Sequence, residues 1–324
     1  MASVEHRIAF GPIPSRRLGR SLGVNTIPAK TCSYACRYCQ AGPTTELSIE
    51  PRAFFSPERV REEVDRHLRR IRAAGQDADI LSIVPDGEPT LDTNLGGTIE
   101  ALQGLGLPVA VITNSSLLHR PEVRARLRHA DLVSVKVDSV LEPVWRRVNA
   151  PHRDLVLEDV LSGVAQFAAE YSGRLLSETM LVAGLNDTDE SLVATADFLA
   201  GVGPGTAFLA VPVRPPTVTG TRAPDEERLV RAHVLYSERL PDVELLLGHE
   251  VGAFAHTGDP LGDLLAITAV HPMREVAVRR LLAEDGASWQ LVEQLLADGT
   301  LRAVEHAGTV FLLRPVSRER ATSA

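Results

Sequence analysis

The sequence predicts an α/β protein: a parallel sheet covered on both faces and wound into a whole or partial (β/α) barrel. Three observations predict it. Short apolar runs such as DILSIV (79–84), PVAVIT (108–113) and DLVSVKV (131–137) are nearly continuous instead of alternating, as in strands buried on both faces. Amphipathic stretches of helical period separate them, which makes βαβ units. The chain has 324 residues, 44% of them hydrophobic, enough for one large barrel or two ordinary domains. That composition excludes disordered and fibrous classes.

The elements follow in order. Leu22 to Ile27 is a first strand, stopped by Pro28. Ser56-Pro57-Glu58 sets an N-cap and a proline at the first helical position, and Val60, Val64, Leu68 and Ile71 then recur at helical spacing to about Ala74. Strands at 79–84, 108–113, 131–137, 174–182 and 207–213 alternate with helices at 95–105, 121–128, 155–169, 190–199 and 225–239, and a short strand follows at 243–247. These are six βα units and one extra strand. Chemistry in such a barrel sits on the loops after the strands.

Residues 1–262, an Arg-rich N-terminal arm and the barrel, are expected to form one domain, and 263–324 a small second one. The second reads as helices at 273–283 and 288–297, the latter capped by Ser288. Strands at 301–304 and 309–313 then flank a His306-Ala307-Gly308 turn. Helix, helix and hairpin give a winged-helix outline. Residues 273–324 balance 7 Arg against 7 acids, and the second helix carries Glu293 and no base. A groove-reading helix needs cations to meet phosphates, so duplex DNA is not an expected partner.

Formal charge is −8, but unevenly spread. Up to Gly75 there are 13 basic and 7 acidic residues, and the remainder carries −14. An anionic ligand should meet the N-terminal quarter. Lysine occurs only at Lys30 and Lys136. No apolar run approaches the roughly 20 residues that span a bilayer, and the N-terminus has no signal-peptide pattern, so a cytoplasmic protein away from membranes is expected. The Asn114 and Asn186 acceptor patterns are then without meaning for glycosylation.

Cys32, Cys36 and Cys39 are the only cysteines and lie together in KTCSYACRYCQ. Three thiols cannot pair off as disulfides. Chance clustering, a Cys3His zinc site drawing on His67 or a more distant histidine, and an iron–sulfur cluster held by three thiolates are the readings the residues allow. The last would leave one iron open to an incoming molecule.

The CxxxCxxC spacing, with Tyr38 directly before the last cysteine, resembles the radical S-adenosylmethionine (SAM) superfamily. The resemblance implies a partial (β/α)6 barrel, a [4Fe–4S] cluster on Cys32, Cys36 and Cys39, and SAM as cofactor. It implies reductive cleavage of SAM to a 5′-deoxyadenosyl radical that abstracts hydrogen, oxygen sensitivity, and an electron donor such as flavodoxin or ferredoxin. By the same resemblance Gly87-Glu88-Pro89 meets the SAM amino group and Asn114 the ribose, while Tyr38 lies in the cofactor site. Leu181, in the strand segment 178–187, flanks adenine. Lys136 and Asp138 share one face of a strand, since side chains alternate. Pointing inward, Lys136 would pair with Asp138, bind the SAM carboxylate or act as an amine. Arg214, after the sixth strand, is the candidate to hold an anionic substrate group.

The block Gly11–Gly23, with His271-Pro272, is similar to the wyosine-synthetase-like branch, which joins a pyruvate-derived unit to a tRNA base. That branch carries a second cluster on further cysteines, and this chain has none. A small anionic metabolite and a modified tRNA base are thus the candidate substrates. The rival expectation is an iron–sulfur-sensing transcription regulator with a winged-helix reader.

Overall fold

The computed structural model describes residues 7–15, 17–27, 30–248, 254 and 256–315. Arg16 and Pro28, both used above, lie outside the described residues, as does 316–324 of the C-terminal segment.

The first surprise is at the start. The Gly/Pro/Arg-rich block is no arm: β1 (Ala9–Ser15) and β2 (Gly19–Val24) form an antiparallel hairpin. Pro12 and Pro14 cannot donate to a ladder, and β1 pairs only with β2, at the sheet edge where proline is tolerated. The cysteine loop then carries two short pairing segments, β3 (Thr31–Cys32) and β4 (Glu46–Leu47).

The expected alternation follows: α1 (Pro57–Ala73), β5 (Ile80–Ile83), α2 (Leu95–Gln103), β6 (Val109–Thr113), α3 (Pro121–Leu127) and β7 (Leu132–Lys136). Next come α4 (Glu142–Asn149), α5 (Leu157–Glu170), β8 (Arg174–Met180), α6 (Asp189–Val202), β9 (Thr206–Ala210), α7 (Glu226–Ser237) and β10 (Val243–Leu246). Ser56 caps α1 as expected, its Oγ accepting from the Arg59 amide at 3.3 Å.

Strand order is β1-β2-β5-β6-β7-β8-β9-β10, parallel from β2 onward. The sheet curls without closing, a half-barrel. Alternation along each strand divides the core. Val109, Val111, Val133 and Val135 face the helix layer, whereas Ala110, Leu132, Leu176 and Phe208 pack together on the inner face. Their neighbours at two-residue steps, Lys136 and Glu178, therefore point inward beyond this apolar floor.

The chain continues with α8 (Pro260–Val270), β11 (Met273–Arg274), α9 (Glu275–Glu284), α10 (Gln290–Ala297), β12 (Arg302–His306) and β13 (Thr309–Leu313). The three strands form a sheet of their own in the order β11-β13-β12. Leu264 and Ile267 of α8 share a separate apolar core with Leu281, Val292 and Leu312. The boundary expected after residue 262 falls in the first turn of α8. Ser288 does not cap the second helix: Trp289 holds that position, with no side-chain cap bond.

Candidate active site

The cysteine loop leaves β2 and lies across the ends of the parallel strands. Two neighbours hold it. The last turn of α4 has carbonyls without intrahelical donors, and the loop supplies them: Arg37 N–H donates to the Val148 carbonyl at 3.0 Å and Ala35 N–H to Asn149 at 3.1 Å. On the other side Thr217, after β9, donates to the Cys39 carbonyl from its amide (3.0 Å) and its hydroxyl (2.6 Å).

Each sulfur has a nitrogen donor of its own. Asn114 Nδ2 lies 3.6 Å from Cys32 Sγ, Asn149 Nδ2 3.5 Å from Cys36 Sγ, and Lys30 Nζ 3.3 Å from Cys39 Sγ. The three donors come from the loop after β6, the end of α4 and the residue two before Cys32. Burial pushes the Cys32 and Cys36 thiols up, Cys36 to about 12. His67 is not beside them: it is buried on α1 with Nε2 2.7 Å from the Gly11 carbonyl.

The 87–89 segment packs under the loop. A Cβ on Gly87 would come 1.8 Å from the Thr31 carbonyl oxygen, so only glycine lets this turn approach. Glu88 N–H donates to that same oxygen at 3.1 Å. The Glu88 carboxylate turns inward. Its Oε1 accepts from the Thr90 amide and hydroxyl and the Thr113 hydroxyl, and its Oε2 from the Asn114 amide at 2.7 Å. Glu88 thus braces its own loop against β6, and burial raises its pKa. Pro89 opens a buried 3-10 turn.

Asn114 both caps a turn and faces the cysteines: Oδ1 accepts from the Ser116 amide at 3.0 Å while Nδ2 donates to Ser33 Oγ at 2.9 Å. Asp138 is a buried hub. One oxygen accepts from the Met180 amide at 2.8 Å, the other from Asn149 Nδ2 at 2.6 Å and from the Tyr38 hydroxyl.

Lys136 points into the barrel, but its ion pair is with Glu178, not with Asp138. Glu178 also pairs with Arg17 of the β1–β2 hairpin. These side chains are only 11–20% exposed. Burial works against the Lys136 cation, yet Glu178 and Asp138 outweigh it and its pKa ends above the ordinary lysine value. Burial likewise opposes the Glu178 carboxylate, and Arg17 and Lys136 overcome that, holding it well below the usual range. Arg214 is buried nearby, donating to Gln40 Oε1 at 2.5 Å, and its charge also lowers Glu178. Lys136 Nζ lies 5.0 Å from the Tyr38 ring centre.

Leu181 departs from expectation. It is fully buried in the helix-facing core. Alternation puts Met180 and Val182 with Tyr38 instead. Arg17, Glu178, Lys30 and Asn149 were not singled out by their motifs. The available signals were a charge at an inward strand position for Glu178 and the rarity of lysine for Lys30.

The model described as "Radical SAM superfamily" matches residues 26–199. The chain is 41% identical over 319 residues to UPF0026 protein MJ1312 of Methanocaldococcus jannaschii, across 98% of this chain and 99% of that protein. In fold it is similar to a radical SAM methyltransferase from Sphaerobacter thermophilus, with TM-score 0.54, 18% identity, and 70% of this chain and 66% of that one covered. It is also similar in fold to TYW1 with a bound lysine-pyruvate adduct, with TM-score 0.55, 16% identity, and 69% and 76% covered. This chain belongs to the radical SAM superfamily, enzymes that work with a [4Fe–4S] cluster, S-adenosylmethionine and an external reductant.

Proposed function

We propose that Cys32, Cys36 and Cys39 hold the cluster by three thiolates and that the barrel interior takes a small anionic substrate. One observation carries the reading: three cysteines, each with its own N–H donor, share a barrel with three inward cations, Arg17, Lys136 and Arg214.

The residues suit both groups. Thiolates bound to iron stay electron-rich and favour N–H donors around them. Asn149 Oδ1 and Asp86 Oδ1 are buried acceptors with no hydrogen-bond partner. SAM brings an ammonium and two hydroxyls, which are donors of the kind such oxygens need.

When bound, the cluster and SAM supply an electron that splits the sulfonium and a 5′-deoxyadenosyl radical for hydrogen abstraction. This chain's residues do the positioning. Gly87 lets the turn approach, with the backbone carbonyls of 87–89 as acceptors for the SAM amino group. Glu88 keeps that turn rigid, and Asn114 is placed to meet the ribose. Tyr38, Met180 and Val182 form an apolar wall for adenine, in place of the Leu181 side chain. Arg17, Lys136 and Arg214 hold an anionic group of the substrate beside Glu178, which pairs with Arg17 and Lys136. Lys136, kept as an ammonium by Glu178, is suited to holding a carboxylate. An uncharged amine would be needed to attack a carbonyl.

Within the superfamily we set the chain beside the wyosine-synthetase-like branch, on the Gly11–Gly23 block and His271-Pro272, without that branch's second cluster. The cations lie inside the barrel, and the chain beyond Gly75 carries −14, so a small anion fits better than a tRNA phosphate backbone. We treat residues 263–324, joined to the first turn of α8, as a second unit acting as a lid. His306 Nε2 lies 3.4 Å from the carbonyl of Pro212, two residues before Arg214. Burial pushes Asp86, beside the 87–89 turn, up to about 6, and the Arg314 charge acts weakly against that rise. Among the described residues no helix is long and apolar enough to cross a membrane. A reducing, cytoplasmic setting with flavodoxin or ferredoxin as donor fits the chemistry.

Anaerobic reconstitution tests this. The expected results are a reduced-cluster EPR signal that changes on adding SAM and 5′-deoxyadenosine in the product mixture. A fully loaded protein that neither binds nor cleaves SAM refutes it. Retention on tRNA at moderate salt would favour the tRNA-base substrate over the small anion.

A further inference from the structure

The chain contains 32 arginines and two lysines, Lys30 and Lys136, and both are buried or nearly so at the site. Lys136 has Glu178. Lys30 has a sulfur: its Nζ is 3.3 Å from Cys39 Sγ and the residue is 2% exposed. Its backbone is equally unusual. Lys30 has φ 67°, a left-handed conformation that side chains bearing a Cβ pay to adopt and glycine adopts freely. The position is pinned through its carbonyl, which accepts from Thr45 N–H at 3.1 Å and Glu46 N–H at 3.2 Å. A turn that would be easier for glycine holds a long cationic side chain, so the side chain is what the site requires there. The other two sulfurs receive neutral amide donors, Asn114 and Asn149.

We propose that Lys30 is a positioning residue that tunes the cluster: its ammonium, donating to the Cys39 sulfur, stabilises the reduced state and raises the cluster's reduction potential. The inference rests on the reading of the three cysteines as cluster ligands. The step is a one-electron reduction by an external low-potential donor, which adds one negative charge to the cluster and its thiolates and transfers no proton. A fixed cation in contact with one of those sulfurs, out of reach of water's screening, favours the more negative state. Asp86 supplies the opposing charge. It is buried and Asn25 Nδ2 donates to it at 3.3 Å. Burial pushes its carboxyl up to about 6, and the Lys30 charge is the leading influence against that rise. Asp86 therefore offsets part of the Lys30 charge. An ammonium serves here where a guanidinium would not, because a compact charge fits one sulfur while a planar fork seeks two acceptors.

The test is an EPR-monitored redox titration of the anaerobically reconstituted full chain, with iron and sulfide content measured on the same samples. Dithionite is the reductant, without substrate. Three variants are compared with the wild type. Lys30→Met removes the ammonium and keeps the bulk. Lys30→Gly removes it and also relaxes the left-handed turn, so it guards against a variant that fails to fold. Asp86→Asn removes the opposing carboxylate. The expected result is full cluster loading in all, with the oxidised form favoured tenfold or more in both Lys30 variants. For a one-electron couple that is about 59 mV more negative. Asp86→Asn should move the potential the other way. Loosened packing would not produce shifts of opposite sign. A loaded Lys30→Gly or Lys30→Met protein with the wild-type potential overturns the proposal. So does an unchanged or lowered potential in Asp86→Asn, should the Lys30 variants not load. A wild type that binds no iron would instead sink the reading of the cysteines.

Discussion

Glu178→Gln tests the proposed anion site. In the structure one carboxylate neutralises two cations, Arg17 and Lys136, with Arg214 close enough to add to its stabilisation. The pairs are 80% or more buried by side chain, so solvent screens them little. Glutamine keeps the volume and removes the charge, leaving cations buried together. Breaking a buried pair in this way costs about 3–5 kcal/mol. For 324 residues the unfolding entropy is roughly 0.7 kcal/mol/K, so the melting temperature should fall by about 4–7 °C. If the cations form an anion site, an added anion should take the empty place. Sulfate at a hundred times its dissociation constant restores about 2.7 kcal/mol, close to 4 °C. The wild type, with Glu178 in that place, should gain distinctly less. Differential scanning calorimetry of both proteins across a sulfate series, at constant ionic strength, reads this directly. A variant melting within a degree of wild type, or equal sulfate gains in both, would refute the reasoning.

Three further outcomes are expected. Gly87→Ala forces a Cβ against the Thr31 carbonyl at 1.8 Å, next to Cys32, so iron content after reconstitution should fall severalfold while far-UV circular dichroism is unchanged. Ser56→Ala removes the bond from the Arg59 amide to the α1 cap and should cost about 1 kcal/mol, readable as a shifted denaturant midpoint. Asp263, pushed up to about 6 mainly by burial, holds its proton more tightly folded than unfolded. Its contribution to stability is therefore present below the ordinary carboxyl pKa and is lost as pH rises toward 6. Asp263→Asn should flatten the stability profile between pH 4 and 6 relative to wild type, and an unchanged slope would count against this assignment.

The parallel half-barrel could be read along the chain because each strand is buried on both faces and each helix on one. That leaves continuous runs for β5, β6 and β7 and a 3.6-residue stripe for α1. The elements that escaped the reading break those patterns. β1 is interrupted by Pro12 and Pro14, and α4 opens on Glu142-Pro143 with only Val144, Trp145 and Val148 apolar. The site divides in the same way. The three cysteines, Gly87 and Asn114 announce themselves locally by spacing and turn chemistry. Arg17, Glu178 and Asn149 do not, because what makes each of them matter is a partner 11 to 161 residues away.

By itself the sequence determined most of the strand–helix alternation, a whole or partial barrel class and the place of the sulfurs, since those depend on periodicity and spacing within a few dozen residues; the partial form came from the family resemblance. Only the tertiary structure decided that Leu181 faces the helices, that Lys136 answers Glu178 and not Asp138, and that Lys30 reaches Cys39. Strand alternation allows two faces, and which neighbour a buried charge finds is settled by register across the sheet. Burial makes that choice costly to get wrong, since an unpaired charge inside the barrel would cost several kcal/mol.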